Sequence, residues 1–155
     1  MSPPPSPDVP PDVPQVRRAS YAELDPVTAY RILVLRERVF IVEQDCVYAD
    51  LDGRDLEPGT VHLWIEAEPT RPAAYLRILD DGDHAAIGRV VTDPAHRGRG
   101  LAAVLVTAAL EVVGDRRTEI HAQAHLRAWY ARFGFLVTGD EFLEDGIPHL
   151  PMARG

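Results

Sequence analysis

The sequence predicts a single α/β domain, and three observations support this assignment. The chain has 155 residues, of which 46% are hydrophobic and 26% charged, as in an ordinary globular domain. Two strand patterns, Ala73–Leu79 and Ala85–Thr92, flank the turn sequence Asp80-Asp81-Gly82-Asp83 and predict a β-hairpin. The second strand then continues through a glycine-containing loop into a long helical pattern. This alternation of strands and helices is typical of an α/β fold.

The remaining elements follow from the spacing of apolar residues. A first strand is predicted near Val16–Tyr21, and a helix from Pro26 to Phe40, with Pro26 suited to the first helical turn. Gly88, inside a strand, indicates a β-bulge or a close backbone approach. The other predicted elements are a strand at Val61–Glu68, a helix ending near Val113, a strand at Thr118–Gln123, a helix around Tyr130, and strands near Phe135–Phe142 and His149–Ala153.

The first fifteen residues differ from the rest, because they hold seven of the fourteen prolines. We expect a disordered, proline-rich tail at 1–15 and a single domain at 16–155. The tail has neither the basic start nor the apolar stretch of a signal peptide, and no segment approaches the ~20 apolar residues of a membrane span. The single Cys46 cannot form an internal disulfide. These features predict a cytoplasmic protein that does not bind membranes.

The segment from Val90 to Ala102 is the most informative part of the chain. An apolar strand ends, Gly98 and Gly100 follow, and a helix begins at once. A helix start leaves backbone N–H groups unpaired at the positive end of the helix dipole, and it therefore favours an anion such as phosphate. No Gly-Lys-Ser/Thr follows, which excludes a P-loop, and the glycine spacing does not match a dinucleotide fingerprint. The motif that remains is Arg-x-x-Gly-x-Ala, at Arg97, Gly100 and Ala102.

This motif resembles the pyrophosphate-binding motif of the GNAT superfamily, the acyl-CoA-dependent N-acyltransferases. Downstream, Tyr130-x-x-x-Gly134-Phe135 looks like the second GNAT signature. The segments 38–44, 122–126 and 144–149 are similar to the small ElaA-like bacterial branch, and the resemblance runs from about residue 17 to the C-terminus. It implies the GNAT fold: a central mixed, mostly antiparallel sheet with splayed fourth and fifth strands, flanked by about four helices.

The resemblance also implies a reaction and a donor site. The reaction is transfer of an acetyl group from acetyl-CoA to a primary amine, by direct attack in a ternary complex and without a metal. The main chain of the fourth strand would align the pantetheine, with one amide facing the thioester oxygen. The glycine loop would hold the pyrophosphate. The residues expected to contact the cofactor are Val90, Val91, Thr92, Arg97, Gly98, Arg99, Gly100, Leu101, Ala102 and Gln123.

Three side chains are candidates for proton transfer. Tyr130 is the predicted general acid, because a phenol stays protonated at neutral pH and can donate to the leaving thiolate; the alternative is a packing aromatic. The general base is open between Glu43, which lies where GNAT chains place acceptor-site residues, and His149, which titrates in the useful range. Either could instead be structural. His121 and His125 span a strand-to-helix break, so no metal site is predicted.

The acceptor side has one clue in the sequence. The segment 43–57 holds six acidic residues and one arginine, and so contributes −5 of the formal net charge of −8. In GNAT folds this segment covers the acceptor pocket, so we expect a cationic small-molecule or peptide amine rather than nucleic acid. The alternative is a solvated acidic loop. Analogy with relatives adds the possibility of a homodimer.

Two other functions are compatible with the resemblance. One is a CoA-binding module that senses acyl-CoA without turnover, and Tyr130 argues against it. The other is an acyl-homoserine-lactone synthase, which shares the fold. The loop at Gly98 and Gly100 looks like that of acetyltransferases, which disfavours the synthase.

Overall fold

A computed structural model describes residues 14–155, so the predicted proline-rich tail lies almost entirely outside the described residues. Within that range the chain forms eight strands: β1 Arg17–Ala19, β2 Val61–Glu68, β3 Arg71–Asp80, β4 Ala85–Thr92, β5 Thr118–Gln123, β6 Leu136–Val137, β7 Phe142–Glu144 and β8 Ile147–Arg154. The helices are α1 Pro26–Arg36, a π-helix Glu37–Glu43, α2 Leu101–Val113 and α3 Arg127–Ala131. No helix among these residues is long and apolar enough to cross a bilayer.

The strands form one mixed sheet that opens in its middle. The order is β1-β2-β3-β4-β5-β8-β6, with β7 beside β8. All pairs are antiparallel except β4 and β5, which are parallel and paired only at Ala85–Thr118 and Ala86–Glu119. Beyond those two pairs the strands separate and leave a cleft. The mixed, mostly antiparallel sheet and its splayed fourth and fifth strands are therefore confirmed.

A β-bulge interrupts β4 next to Gly88, as the glycine indicated. Tyr75 of β3 is paired with Val91, but Arg77 is paired with Gly88, so β4 holds one extra residue in this interval. Arg89 lies in the bulge with a φ of 55°. A positive φ is uncommon for a residue with a Cβ, and a bulge bends its strand and increases the local twist. The bulge therefore turns the backbone of β4 just where the sheet opens.

Helices cover both faces of the sheet. On one face, α2 buries Leu101, Leu105, Val106 and Ala109, which share one side of the helix and belong to the larger hydrophobic core. On the other face, a smaller cluster joins α1 and the π-helix to the sheet; it includes Ile32, Leu35, Val39, Trp64, Tyr75 and Val91. One core therefore lies on each face of the sheet, and the cleft lies between β4 and β5.

Several predicted boundaries are wrong. The helix expected over Pro26–Phe40 is α-helical only to Arg36 and continues as a π-helix, with Gln44 N–H donating to Val39 O at 3.1 Å. The apolar spacing cannot reveal this change, because it continues through the junction. There are three α-helices in the described residues, not about four.

Both ends of the predicted sheet also differ. The strand expected over Val16–Tyr21 ends at Ala19, because Ser20 and Glu23 form a capping box that starts a 3₁₀ turn. The strand expected over Phe135–Phe142 is two strands, since the chain leaves β6 after Val137 and resumes pairing at Phe142. The last strand begins at Ile147, two residues earlier than expected.

Candidate active site

An open cleft with a volume of about 1090 Å³ lies where β4 and β5 separate. It brings together most of the predicted site residues: Val90, Val91, Thr92, Arg97, Gly98, Gly100, Leu101, Ala102, Gln123, Tyr130 and His149. Arg99 and Glu43 are predicted site residues that do not line it. The structure thus places the glycine loop, the bulged strand, Tyr130 and His149 around one space.

The glycine loop presents free backbone N–H groups to this cleft. Gly98 and Gly100 have φ values of 82° and 71°, and a Cβ added at either would meet no atom within 4 Å. The first hydrogen bond of α2 runs from Val104 N–H to Gly100 O, at 3.2 Å. The N–H groups of Leu101 and Ala102 therefore have no acceptor within the helix. This end of the helix fits an anion that approaches the main chain closely.

The open edge of β4 offers further donors. Asp93 N–H donates to Ala73 O of β3 at 2.8 Å. Because successive residues of a strand direct their main-chain groups to opposite sides, Thr92 and Val90 direct theirs towards the cleft. We infer that these two N–H groups line the gap, whereas the N–H of Val91 points to β3.

Tyr130 lies in the wall of the cleft on α3. Its ring makes edge-to-face contacts with Trp129 and Phe135, with centroids 4.9 and 6.1 Å apart. The side chain is buried, and this burial raises the pKa of Tyr130 to about 12. The phenol therefore stays protonated at neutral pH, as a proton donor must.

His149 lies on β8, with Nδ1 hydrogen-bonded to the main chain and Nε2 near the Glu144 carboxylate. Nδ1 is 2.7 Å from Ile147 O, and a carbonyl can only accept, so Nδ1 carries the proton in the neutral ring. Nε2 then has a lone pair. The side chain is only 10% exposed, and the Phe142 ring stacks against it at 5.9 Å. His149 is thus an imidazole of fixed orientation, and in its neutral form the basic lone pair is on Nε2.

Glu43 lies at the end of the π-helix and forms an ion pair with Arg97. Two hydrogen bonds of 2.6 and 2.8 Å join the carboxylate to the guanidinium. The hydrogen bond from Arg97 holds the pKa of Glu43 below its ordinary range, which makes this carboxylate a weaker base. The pair joins the predicted acceptor side to the glycine loop.

Arginines neutralise much of the acidic segment 43–57. Arg36 has no exposed surface, and it donates to Asp50 Oδ2 at 3.0 Å and to Asp55 Oδ1 at 2.7 Å. Arg77, also buried, donates to Asp52 at 2.6 and 2.9 Å. Because arginines pair with most of these carboxylates, the summed charge of the segment does not support its predicted attraction of a cationic acceptor.

Arg89 and His62 extend this network. Arg89 of the bulge lies with its Nε 2.7 Å from Asp50 Oδ1, so the network reaches the open strand. His62 donates from Nε2 to Asp55 O at 3.0 Å, and Tyr75 O–H donates to its Nδ1 at 2.7 Å. Burial lowers the pKa of His62 and keeps the ring neutral.

Arg89 and Glu144 are two of the lining residues that sequence reasoning did not assign to the site. Glu144 Oε2 is 3.5 Å from His149 Nε2. The only sequence feature that pointed to Glu144 was the similarity of the segment 144–149 to the ElaA-like branch. Arg89 had a weaker signal, a charged residue inside an apolar strand beside Gly88. Among residues 14–155 no group of three His, Cys, Asp or Glu side chains is arranged to hold a metal ion.

Comparison with known proteins agrees with this geometry. Residues 35–154 match the family model described as an acetyltransferase (GNAT) domain. The chain belongs to the GNAT family. This GNAT domain is 46% identical over 145 residues to a UPF0039 protein of Mycobacterium tuberculosis, a match that covers 90% of this chain and 92% of that protein.

Two solved structures show the same fold. An acyl-CoA N-acyltransferase from Pseudomonas aeruginosa is 39% identical, with a TM-score of 0.86, and the match covers 92% of this chain and 100% of that one. ElaA of Escherichia coli is 36% identical, with a TM-score of 0.84 and the same coverage. The predicted resemblance to the ElaA-like branch is confirmed.

Proposed function

We propose that this GNAT domain transfers an acetyl group from acetyl-CoA to a primary amine in a ternary complex. The observation that carries the proposal is the cleft between β4 and β5, which combines a free helix N-terminus, an unpaired strand edge and a buried phenol. A donor held through main-chain groups explains why the loop needs small residues at Gly98 and Gly100.

The residues present fit acetyl-CoA as the donor. Its pyrophosphate would bind the N–H groups at Gly98–Ala102, with the exposed Arg99 close by. Arg97 would exchange Glu43 for phosphate. The pantetheine would lie along β4, next to the N–H groups of Val90 and Thr92. One of these would stabilise the oxyanion that forms on the thioester, and in other acyl-transfer enzymes such a donor contributes about 3–4 kcal/mol.

The reaction needs one proton removed and one delivered. A protonated amine gives a proton to the base, and its nitrogen lone pair then attacks the thioester carbon. The C–S bond breaks, sulfur keeps the electron pair and accepts the Tyr130 proton, and the phenol is restored by the proton that the new amide nitrogen loses. The sum is an ammonium plus acetyl-CoA giving an amide, free CoA and one proton.

We assign the base to His149 rather than to Glu43. His149 lines the cleft and has the lone pair of its neutral ring on Nε2, whereas Glu43 is bound by Arg97 and does not line the cleft. Gln123, which is paired with His149, donates from Nε2 to Gln44 Oε1 at 3.5 Å, on the face of the sheet that α1 covers. Its neighbour Ala122 belongs to the core on the other face, together with Tyr130. Base and acid would thus act from opposite faces of the sheet, through the opening.

Calorimetry with acetyl-CoA tests the donor site. In Gly100→Ala the new Cβ would occupy the space where the pyrophosphate binds, so we expect affinity to fall at least about tenfold. Gly53→Ala is the matched control, because Gly53 has a φ of 83° and equally open surroundings, does not itself line the cleft and is distant in sequence from the glycine loop. Both variants carry the strain of a left-handed alanine, about 1–2 kcal/mol, but only the first should lose affinity.

Thiol release with a panel of amines tests the chemistry. Release that depends on the amine supports acyl transfer. Binding of acetyl-CoA without release on any amine would contradict it and would indicate a sensor instead. Equal affinity in the two glycine variants would contradict the proposed position of the pyrophosphate.

A further inference from the structure

The β7–β8 hairpin places a carboxylate beside the proposed base. Glu144 Oε2 lies 3.5 Å from His149 Nε2, and Oε1 lies 3.5 Å from His121 Nδ1. All three side chains line the cleft. The pairings explain this, because Phe142 and Gln123 are both paired with His149, and residues two apart on a strand share a face. Glu144 and His121, each two residues from one of those partners, lie on that same face.

Glu144 differs from five of the six acids of the segment 43–57, because no arginine forms an ion pair with it. Among the basic side chains of the described residues, only the two histidines lie within 4 Å of its carboxylate. The neighbouring acids Asp140, Glu141 and Asp145 are exposed and form no ion pair within the same part of the chain. This end of the cleft therefore keeps its negative charge.

With the neutral form of His149, the facing groups lack a hydrogen-bond donor between them. When its ring is neutral, as a base must be before it accepts a proton, His149 presents the Nε2 lone pair, because Nδ1–H is committed to Ile147 O. Glu144 presents a carboxylate oxygen, which also only accepts. Two acceptors that face each other, one of them on a side chain nine-tenths buried, suit a ligand with several N–H donors on one charged atom. A primary ammonium group has three.

We infer that Glu144 binds the ammonium group of the acceptor, next to His149. One N–H donates to Glu144 and a second donates to His149 Nε2. The second N–H bond then breaks, its electron pair stays on the amine nitrogen, and its proton forms a new bond to Nε2. The resulting imidazolium pairs with Glu144. The inference rests on the proposed function and names its acceptor class as protonated alkylamines.

Two isomeric amines test this assignment. Benzylamine is protonated at neutral pH, whereas p-toluidine has the same atoms and is neutral. For Glu144→Gln we expect the KM and the calorimetric Kd of benzylamine to rise about tenfold or more, because a charged hydrogen bond is lost. The KM of p-toluidine should change less than twofold. His149→Gln should lower kcat for benzylamine more than for p-toluidine.

Glu141→Gln is the matched control, since Glu141 is in the same segment, is exposed and does not line the cleft. It should leave the constants of both amines unchanged. Equal benzylamine constants in Glu144→Gln and the wild type would overturn the inference, while thiol release would still support acyl transfer. Benzylamine binding that depends on Glu144 without thiol release would overturn the proposed function but support the ammonium site.

Discussion

The buried carboxylate of Asp55 gives the sharpest stability prediction. Its Oδ1 accepts from Arg36 at 2.7 Å and from Arg77 at 3.2 Å, and both guanidinium groups are almost completely buried. Asp55→Asn removes the negative charge that these two cations share. Asn keeps a carbonyl oxygen, so the change is electrostatic and not steric.

The expected loss follows from the burial of the partners. Removing one member of a buried ion pair costs about 3–5 kcal/mol, because it leaves an uncompensated charge. For a domain of this size, 1 kcal/mol corresponds to about 2–4 °C in Tm. We therefore expect Asp55→Asn to lower Tm by about 6–20 °C, which scanning calorimetry measures. A loss of this size is a large part of the ~5–15 kcal/mol that stabilises a typical domain.

Glu57→Gln is the control for this experiment. Glu57 forms an ion pair with Arg54 in the same segment, with side chains 43% and 33% exposed. An exposed pair contributes only about 0–1 kcal/mol, so Tm should fall by less than about 4 °C. Equal and small shifts in the two variants would refute the argument that burial makes the Asp55 contacts essential.

Three further predictions concern catalysis, donor binding and pH. Tyr130→Phe should lower kcat by about 10²-fold or more while the Kd of acetyl-CoA stays unchanged; unaltered turnover would remove the acid role. Glu43→Gln should free Arg97 and tighten acetyl-CoA binding a few-fold by calorimetry; weaker binding would contradict the exchange. Burial lowers the pKa of His62, so the unfolded chain binds more protons, and the urea midpoint should fall as pH drops below about 6.5. In His62→Gln the midpoint should fall less between pH 7 and 5, and an equal fall would assign the effect to other groups.

Much of the fold could be predicted because its signals are local. The turn at Asp80–Asp83, the glycines at 98 and 100 and the helix that starts at Leu101 each depend on neighbouring residues alone. Gly88 indicated the bulge for the same reason. The change from α-helix to π-helix after Arg36 could not be predicted, because it alters hydrogen bonding without altering the apolar pattern.

The candidate site was predictable only in part. The donor side lies in one continuous segment, so its residues could be named together. The acceptor side depends on contacts between distant residues: Arg36 meets Asp55 across nineteen positions, and Glu144 approaches His149 only because the chain turns back at Gly146. The summed charge of the segment 43–57 suggested a cation-binding loop, but its carboxylates could only be assigned to arginines once the fold was known.

The parting of β4 from β5 has a consequence for strand pairing between molecules. An uncovered strand edge normally invites a strand of another molecule, which is why natural sheets shield their outermost strands. Here the unpaired backbone edge belongs to β4, which lies in the middle of the sheet. The open edge of β4 therefore lies inside the cleft rather than at the outer border of the sheet. The fold thus provides unpaired strand hydrogen bonds for a ligand without adding an unpaired strand at the border of the sheet.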